Sequence, residues 1–368
     1  GIHGADASGH DGHGLDHLAM RVAVLGLGLI GGSVGRAARE RAGAHVTGWD
    51  PDPQVRADAL ALSVVDAAAE TLAEAVAGAQ AAFAAAPVDV LGDVVRDALR
   101  HAPADCVVSD VGSVKGPVAS AGGADPRFVG GHPLAGAEAA GVRHARGDLF
   151  DGAVWYLTPH ASSDGVLFER LHRLVAAFGA RPEAIEPAIH DRRMGAVSHL
   201  PHVVANLLVE LATRELQGGP PAIGGSFRDA TRVAGANPRL WAGIYAANRE
   251  VLSEQIDAAI AALERARDDL RSGGDLRAWQ EAVARDRRAL LEDRTVGTAQ
   301  RELTVAVTNR PGVIADIALA LGREGINISD MSLAPSWDAS QGTVTLWCAA
   351  DQADRAATLI GDLGFPVS

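Results

Sequence analysis

Several short stretches of this sequence hold residues able to do chemistry. Gly26-Leu27-Gly28-Leu29-Ile30-Gly31 follows the strand-like run RVAVL and opens an Ala-rich helical stretch, the setting in which a G-x-G-x-x-G pattern binds a dinucleotide. Gly26 permits a tight turn, Gly28 lets the backbone approach a pyrophosphate, and Gly31 lets helix and strand pack closely. The first turn of the helix supplies free N–H donors. A plain strand-to-helix turn is the simpler alternative. Asp50 stands at the end of the next predicted strand, roughly 20 residues on, where a carboxylate accepts hydrogen bonds from ribose hydroxyls. Pro51 and Asp52 follow it rather than an arginine, which favours NAD over NADP, although Arg56 could reverse that preference. His132, in Gly130-Gly131-His132-Pro133, is a neutral imidazole near working pH and so a candidate proton acceptor. Ser113, just past another predicted strand, could hold the other ring nitrogen and fix the tautomer. His199 and His202 stand three apart on a predicted helix. Pro201 between them withholds an N–H from the carbonyl of Val197, which predicts a bend. A metal reading of this pair lacks a third ligand at plausible spacing. Arg228 and Arg232, one helical turn apart, can face the same anion or simply be solvated ion pairs.

Elements that must position these residues can be read from the hydrophobic pattern. From Arg21 to about Glu186 short β-branched runs (RVAVLGLG, AHVTGWD, AQAAFAAAP, DCVVSDVG) alternate with Ala-rich helical stretches. Such alternation predicts a mostly parallel sheet with helices on both faces and ligands beyond the C-terminal strand ends. His132 then falls on a loop after a strand, at the ligand end of the sheet. From Asp191 the texture becomes helical, including one long helix from Asn237 to Ser272 with Leu252, Ile256, Ile260 and Leu263 on one face. From about Arg301 the order reads β, α, β, β, α, β. The expected organisation is therefore an α/β Rossmann-type domain over residues 20–187, an all-α substrate and dimerisation domain over 188–297, and a ferredoxin-like α+β domain over 298–368. Residues 1–19, rich in Gly, His and Asp, read as a disordered leader or an expression remnant, with weak metal binding as the other reading. The 368 residues are ample for two or three cores, and no uninterrupted apolar run reaches about 18 residues, so a soluble chain without a transmembrane span is expected. A net charge of −13 provides no global field for nucleic acid or an anionic membrane. Cys106 and Cys348 fit no disulfide or metal spacing and suit a reducing, cytoplasmic compartment.

Asp110-Val111-Gly112-Ser113-Val114-Lys115, Gly130 to Glu138 (GGHPLAGAE), Ser198-His199-Leu200-Pro201-His202 and Phe227 to Arg232 (FRDATR) occur in that order. They lie between a nucleotide fold and a domain that resembles the ACT regulatory domain, with its Asn309-Arg310-Pro311-Gly312 turn. Together they closely resemble the signature set of prephenate and arogenate dehydrogenases, over nearly the whole chain after residue 20. The resemblance implies a NAD-dependent oxidative decarboxylation of prephenate to 4-hydroxyphenylpyruvate in tyrosine biosynthesis. Hydride leaves the carbinol carbon, the ring carboxylate departs as CO2, and the ring becomes aromatic. It implies His132 as the group that accepts the hydroxyl proton, Arg232 as the partner of the ring carboxylate, and Arg228 as added positive charge. His202 would point toward the substrate side chain, with His199 and Ser198 supporting it or the nicotinamide. Trp241, following Asn237 and Pro238, would pack near the pocket, and Glu138 could gate its mouth. Gly26, Gly28, Leu29, Ile30, Gly31, Asp50, Pro87 and Ser113 would meet the NAD, and no metal is implied. An aromatic amino acid such as tyrosine would bind between paired ACT-like domains of a homodimer, with Gly312 and Asn327 lining the site.

Rival readings differ in substrate or class. The motifs do not separate prephenate from arogenate, or from 4-amino-4-deoxyprephenate. A β-hydroxyacid dehydrogenase joins similar domains but relies on a lysine in its helical part, and no lysine falls between residues 116 and 368. A non-catalytic sensor of NAD and an amino acid would not need Ser113, His132, His202 and Arg232.

Overall fold

The computed structural model describes residues 20–136, 139–215, 223–292, 300–308, 330–336 and 341–368, with scattered positions between 313 and 328. Glu138, Gly312, Asn327 and residues 1–19 lie outside the described residues. The chain forms two compact units: residues up to Glu210 together with Val233–Asp257, and Leu211–Arg232 together with Ala258–Ser368.

The first unit opens with β1 (Arg21–Leu25), α1 (Leu29–Glu40), β2 (His45–Trp49), α2 (Pro53–Ala61), β3 (Ala67–Ala68), α3 (Leu72–Val76), β4 (Ala81–Ala84), α4 (Val88–His101), β5 (Val107–Asp110) and α5 (Gly116–Gly122). Its strands pair in parallel in the order β3-β2-β1-β4-β5. Because successive side chains of a strand point to opposite faces, Val22 and Val24 enter one core with Phe83, while Ala23 and Leu25 enter another with Ala82 and Ala84. Helices cover both faces, which is why the strands read as continuous apolar runs. This is the Rossmann-type arrangement.

A second sheet, beyond the parallel one expected, follows. It consists of β6 (Gly130–Pro133), β7 (Val154–Thr158) and, after α6 (Gly165–Ala177), β8 (Arg181–Ala184). The order is β6-β7-β8, with β6 antiparallel and β8 parallel to β7. His132 therefore lies within a strand, paired with Tyr156, and not on a loop after one. The GGHP segment has almost no side-chain pattern to betray a strand, and its glycines answer to crowding. A Cβ on Gly130 would sit 2.3 Å from Thr158 Oγ1, and one on Gly131 2.4 Å from the Asp110 carbonyl oxygen. Trp155, between the sheets, packs on Phe83, Phe150 and Phe178 with ring centroids 4.9–6.1 Å apart.

Helical structure then takes over: α7 (Pro187–Met194), a π-helical turn at Gly195–His199, α8 (Leu200–Glu215), α9 (Gly225–Thr231), α10 (Pro238–Ala247), α11 (Arg249–Arg271) and α12 (Arg277–Glu292). The π-turn ends just before Pro201, whose missing N–H leaves the α-helical ladder open there. The single long helix expected from Asn237 is two helices, broken at Asn248, whose backbone (φ −112°, ψ 26°) leaves the helical region. Within the first unit α10 packs against α4, with Gly243 admitting Val88.

The last part, within the second unit, contains β9 (Gln300–Thr308), β10 (Asp330–Pro335), β11 (Gln341–Ala349) and α13 (Ala353–Asp362). The three strands form an antiparallel sheet in the order β10-β11-β9, and Val367 adds a bridge to Val305. Leu303, Val305, Val344, Leu346 and Ile360 share a separate core, consistent with a small α+β domain. Among the described residues no helix is long and apolar enough to cross a membrane, and no group of His, Cys, Asp and Glu could hold a metal ion.

Candidate active site

Between β1 and α1 the chain turns at Gly26 with φ +101°, a conformation that L side chains rarely adopt, and a Cβ there would lie 2.4 Å from the Ala85 carbonyl oxygen. Gly31 faces the turn so closely that a Cβ would come within 1.9 Å of the Gly26 oxygen. Gly28 is different: among the described residues nothing lies within 4 Å of its Cβ position. As N-cap of α1 it offers no side-chain cap, and the first turn of α1 holds no acidic residue. The N–H groups of that turn are thus left for a ligand, and an anion there would meet the positive end of the helix. Asp50, directly after β2, ties the loop together: its Oδ2 accepts from Leu27 N at 2.9 Å and its Oδ1 from Asp52 N at 3.0 Å. Arg56 donates to the Asp50 carbonyl at 2.8 Å and pairs with Glu70 at 2.7 Å, so its charge is already engaged. Pro87, exposed, caps α4 just after β4. The open cradle over Gly28 and the carboxylate at the end of β2 fit a dinucleotide.

Beyond β5 lies a buried row of polar groups. Lys115, the sole lysine of the sequence, is buried and bonds Asp110 and, at 2.5 Å, the Gly131 carbonyl. Asp110 also accepts from Gly112 N at 2.8 Å and Gly131 N at 3.0 Å. Burial pulls the Lys115 pKa down, with Asp110 and Asp191 opposing. An ion pair out of water is tolerated only when so fully bonded, and this one clamps β6 beside the end of β5. Next in the row, His132 Nδ1 lies 2.8 Å from His190 Nε2, and His190 Nδ1 lies 2.8 Å from Asp191 Oδ1. Asp191 in turn accepts from the backbone N–H groups of Lys115 and Gly116, each at 2.7 Å. The nitrogen that sequence reasoning gave to Ser113 is thus held by His190; Ser113 is half-buried past the end of β5. Burial, then His190, Lys115 and His199, hold the His132 pKa well below its ordinary value, so the ring is neutral at physiological pH.

The helical part of the same unit adds a second cluster. His199, the last residue of the π-turn, and His202, on α8, are both buried. Asn248 donates to the Asp191 carbonyl at 2.9 Å and stands 3.0 Å from His199 Nδ1. Burial lowers the His199 pKa to about 4, Asp191 opposing and His190 and His202 assisting. His202 stacks on Trp241 with centroids 3.6 Å apart and rings 6° from parallel, while its Nδ1 meets the Tyr245 hydroxyl and, at 3.2 Å, Asn206. Burial lowers its pKa too, with the backbone of Val233 opposing. Ser198 is half-buried on the π-turn. Arg228 on α9 and Arg232 at its C-cap are exposed and belong to the second unit. His190, Asp191, Asn248, Lys115 and Tyr245 were missed from sequence; only the adjacent His190-Asp191 pair, opening the helical run, offered any signal.

Three family models match consecutive parts of the chain: the prephenate dehydrogenase nucleotide-binding domain over residues 34–184, the prephenate dehydrogenase dimerization domain over 186–280, and the ACT domain over 301–363. The prephenate dehydrogenase of Bacillus subtilis is 30% identical over 337 residues, 87% of this chain and 89% of that protein. The crystal structure of prephenate dehydrogenase from A. aeolicus in complex with hydroxyphenyl propionate and NAD+ superposes with a TM-score of 0.66 at 27% identity, covering 74% of this chain and 98% of that one. The Synechocystis arogenate dehydrogenase does so with a TM-score of 0.66 at 26% identity, covering 74% of this chain and 100% of the other.

Proposed function

The chain belongs to the prephenate dehydrogenase family, and on that premise we propose that it converts prephenate to 4-hydroxyphenylpyruvate with NAD. The observation that carries this reading is His132: buried, held neutral, and bonded through Nδ1 to His190, which leaves Nε2 to take a proton.

When bound, NAD supplies the acceptor for the hydride of the carbinol carbon. It would be held by the loop Gly26, Gly28, Leu29, Ile30 and Gly31, by Asp50 at its ribose, and by Pro87 and Ser113. His132 Nε2 takes the proton of the ring hydroxyl as the C–H bond breaks. Arg232 pairs with the ring carboxylate until it leaves as CO2, and Arg228 adds positive charge. His202, fixed against Trp241 and Tyr245, faces the pyruvyl side chain, with His199 and Ser198 beside it. Lys115 and Asp110 hold β6, and with it His132, in register. By family resemblance Glu138 would gate substrate entry.

Residues 20–187 then bind the cofactor, 188–297 bind substrate and dimerise, and 298–368 sense an aromatic amino acid such as tyrosine through Gly312 and Asn327. Support for a homodimer comes from apolar side chains left open on α8 and α11: Leu207, Leu211, Ile260, Leu263 and Leu270 are 42–66% exposed.

Purified enzyme is offered prephenate and arogenate in parallel with NAD, and NADH formation is followed. A rate with prephenate, abolished in His132→Ala, is the expected result. Turnover of arogenate alone would move the chain to the other substrate, and unchanged turnover in His132→Ala would overturn the base. Loss of tyrosine inhibition on truncation after residue 298 is expected of the regulatory assignment.

A further inference from the structure

Asp191 has no place in the chemistry above and His190 enters it only as the partner of His132 Nδ1, yet with His132 they form a continuous buried row. The three are 9%, 0% and 6% exposed for His132, His190 and Asp191. The two rings meet nearly edge to face, with centroids 5.1 Å apart at 73°. The side chain of His190 has only two hydrogen-bond partners among the described residues, His132 at one nitrogen and Asp191 at the other.

Hydrogen-bond logic fixes the protons along this row. The Asp191 carboxylate, which also receives two backbone N–H groups, can only accept, so His190 Nδ1 carries a hydrogen. A neutral imidazole with Nδ1–H has a bare Nε2. Two bare nitrogens 2.8 Å apart would repel, so His132 Nδ1 carries the hydrogen between the rings. What remains on His132 is a bare Nε2.

Resting on the reading of His132 as the base, we propose that His190 and Asp191 are positioning residues that hold His132 in its Nδ1–H form and share its charge once it is protonated. As Nε2 takes the substrate hydroxyl proton, the Nδ1 proton moves toward His190 Nε2, and the cation comes to lie beside the Asp191 carboxylate. The row carries one extra proton, the one captured from the substrate; when the Nδ1 proton returns to His132, that extra proton leaves from Nε2. A neutral hydroxyl at the same place would orient the ring but could not share a positive charge. The row needs this anion because the other groups facing His132 do not favour a cation: Lys115 ahead of α5 is positive, and His199 comes from the π-turn, while Asp110 at the end of β5 is already paired with Lys115. The Tyr156 ring on β7 packs edge-on against His190, with centroids 5.5 Å apart, and closes the row to water.

The test uses full-length enzyme with 15N-labelled histidine, the His132 signal being assigned by its loss in His132→Gln. Native enzyme should show His132 with a protonated Nδ1 and a bare Nε2, and His190→Ala should mix the two tautomers. In turnover His190→Ala should lower kcat on the order of 10²-fold or more, with KM for prephenate changed far less, since a mis-set tautomer costs the transition state rather than binding. Asp191→Asn should move the acid limb of the kcat/KM profile to lower pH, because the imidazolium loses its counter-charge. Asp191 also caps α5 through Lys115 and Gly116, so should Asp191→Asn lose its native melting point, His190→Asn replaces it; among the described residues the His190 side chain bonds no backbone group. An unchanged His132 tautomer, or an unmoved kcat together with an unmoved acid limb, would overturn the proposal. Retained turnover in His132→Gln would instead strike the reading beneath it, and the tautomer signals would still judge the pair.

Discussion

Gly28 and Gly31 occupy one loop, but their surroundings separate a ligand role from a packing role. At Gly28 an alanine methyl meets no atom of the described residues within 4 Å, and its backbone (φ −75°, ψ −159°) is extended. Gly28→Ala should then cost only the poorer N-cap, about 1 kcal/mol, or about 2–4 °C in melting temperature for a domain of this size. The same methyl projects into the cradle where a pyrophosphate would approach the first turn of α1. Losing one charge-assisted hydrogen bond there is worth about 1.5–3 kcal/mol, so NAD should bind roughly 10- to 150-fold more weakly. At Gly31 the methyl would stand 1.9 Å from the Gly26 oxygen and 2.9 Å from Ala85 Cβ. Backbone must shift, so Gly31→Ala should lose about 3 kcal/mol or more and on the order of 6–12 °C. Calorimetric titration with NAD, alongside melting curves, reads both effects. A Gly28→Ala enzyme that melts like the native one and binds NAD equally well would refute the placement of the pyrophosphate over Gly28.

Two further outcomes are expected. Asp50→Ser removes the acceptor at the ribose and the charge opposing a 2′-phosphate, so the ratio of kcat/KM for NAD to that for NADP should fall about tenfold or more; an unchanged ratio would show that Asp50 serves only its bonds to Leu27 and Asp52. Stability should fall as pH drops below about 6.5, because His199 has its pKa near 4 in the folded chain and the unfolded chain therefore binds the proton first. Between pH 7 and 5 this one residue removes about 2 kcal/mol. His199→Gln should flatten that slope in urea titrations run at the two values, and an equal slope in the two proteins would refute the assignment.

The nucleotide fold was legible because its elements declare themselves locally. RVAVL alternates into two cores, and the glycine loop sits where strand and helix must meet. The second sheet was not, because a strand is read from side chains and Gly130 and Gly131 have none. What selects them is the bulk of Thr158 and the Asp110 carbonyl, supplied by other strands. The break at Asn248 escaped for a related reason: the apolar spacing continues through it, and the amide that draws the chain out of the helix answers to Asp191 and His199, 57 and 49 residues away.

The candidate site divides along the same line. His132 and His202 could be singled out because an imidazole in a glycine-rich or proline-bent segment is chemically conspicuous. Their partners could not, since the residues that set a base's proton are chosen by proximity in space. Ser113 was the natural guess for the second nitrogen of His132 because it follows a strand end, yet the row to His190 forms because the middle of α7 meets the start of α5: Asp191 caps the Lys115 and Gly116 N–H groups and thereby brings its neighbour His190 to the ring. A helix cap, an interaction of about 1 kcal/mol in ordinary settings, here also decides which nitrogen of His132 is free. That double duty ties the chemistry to the packing, and it explains why a His-Asp dipeptide that looks ordinary in the chain is buried at its centre.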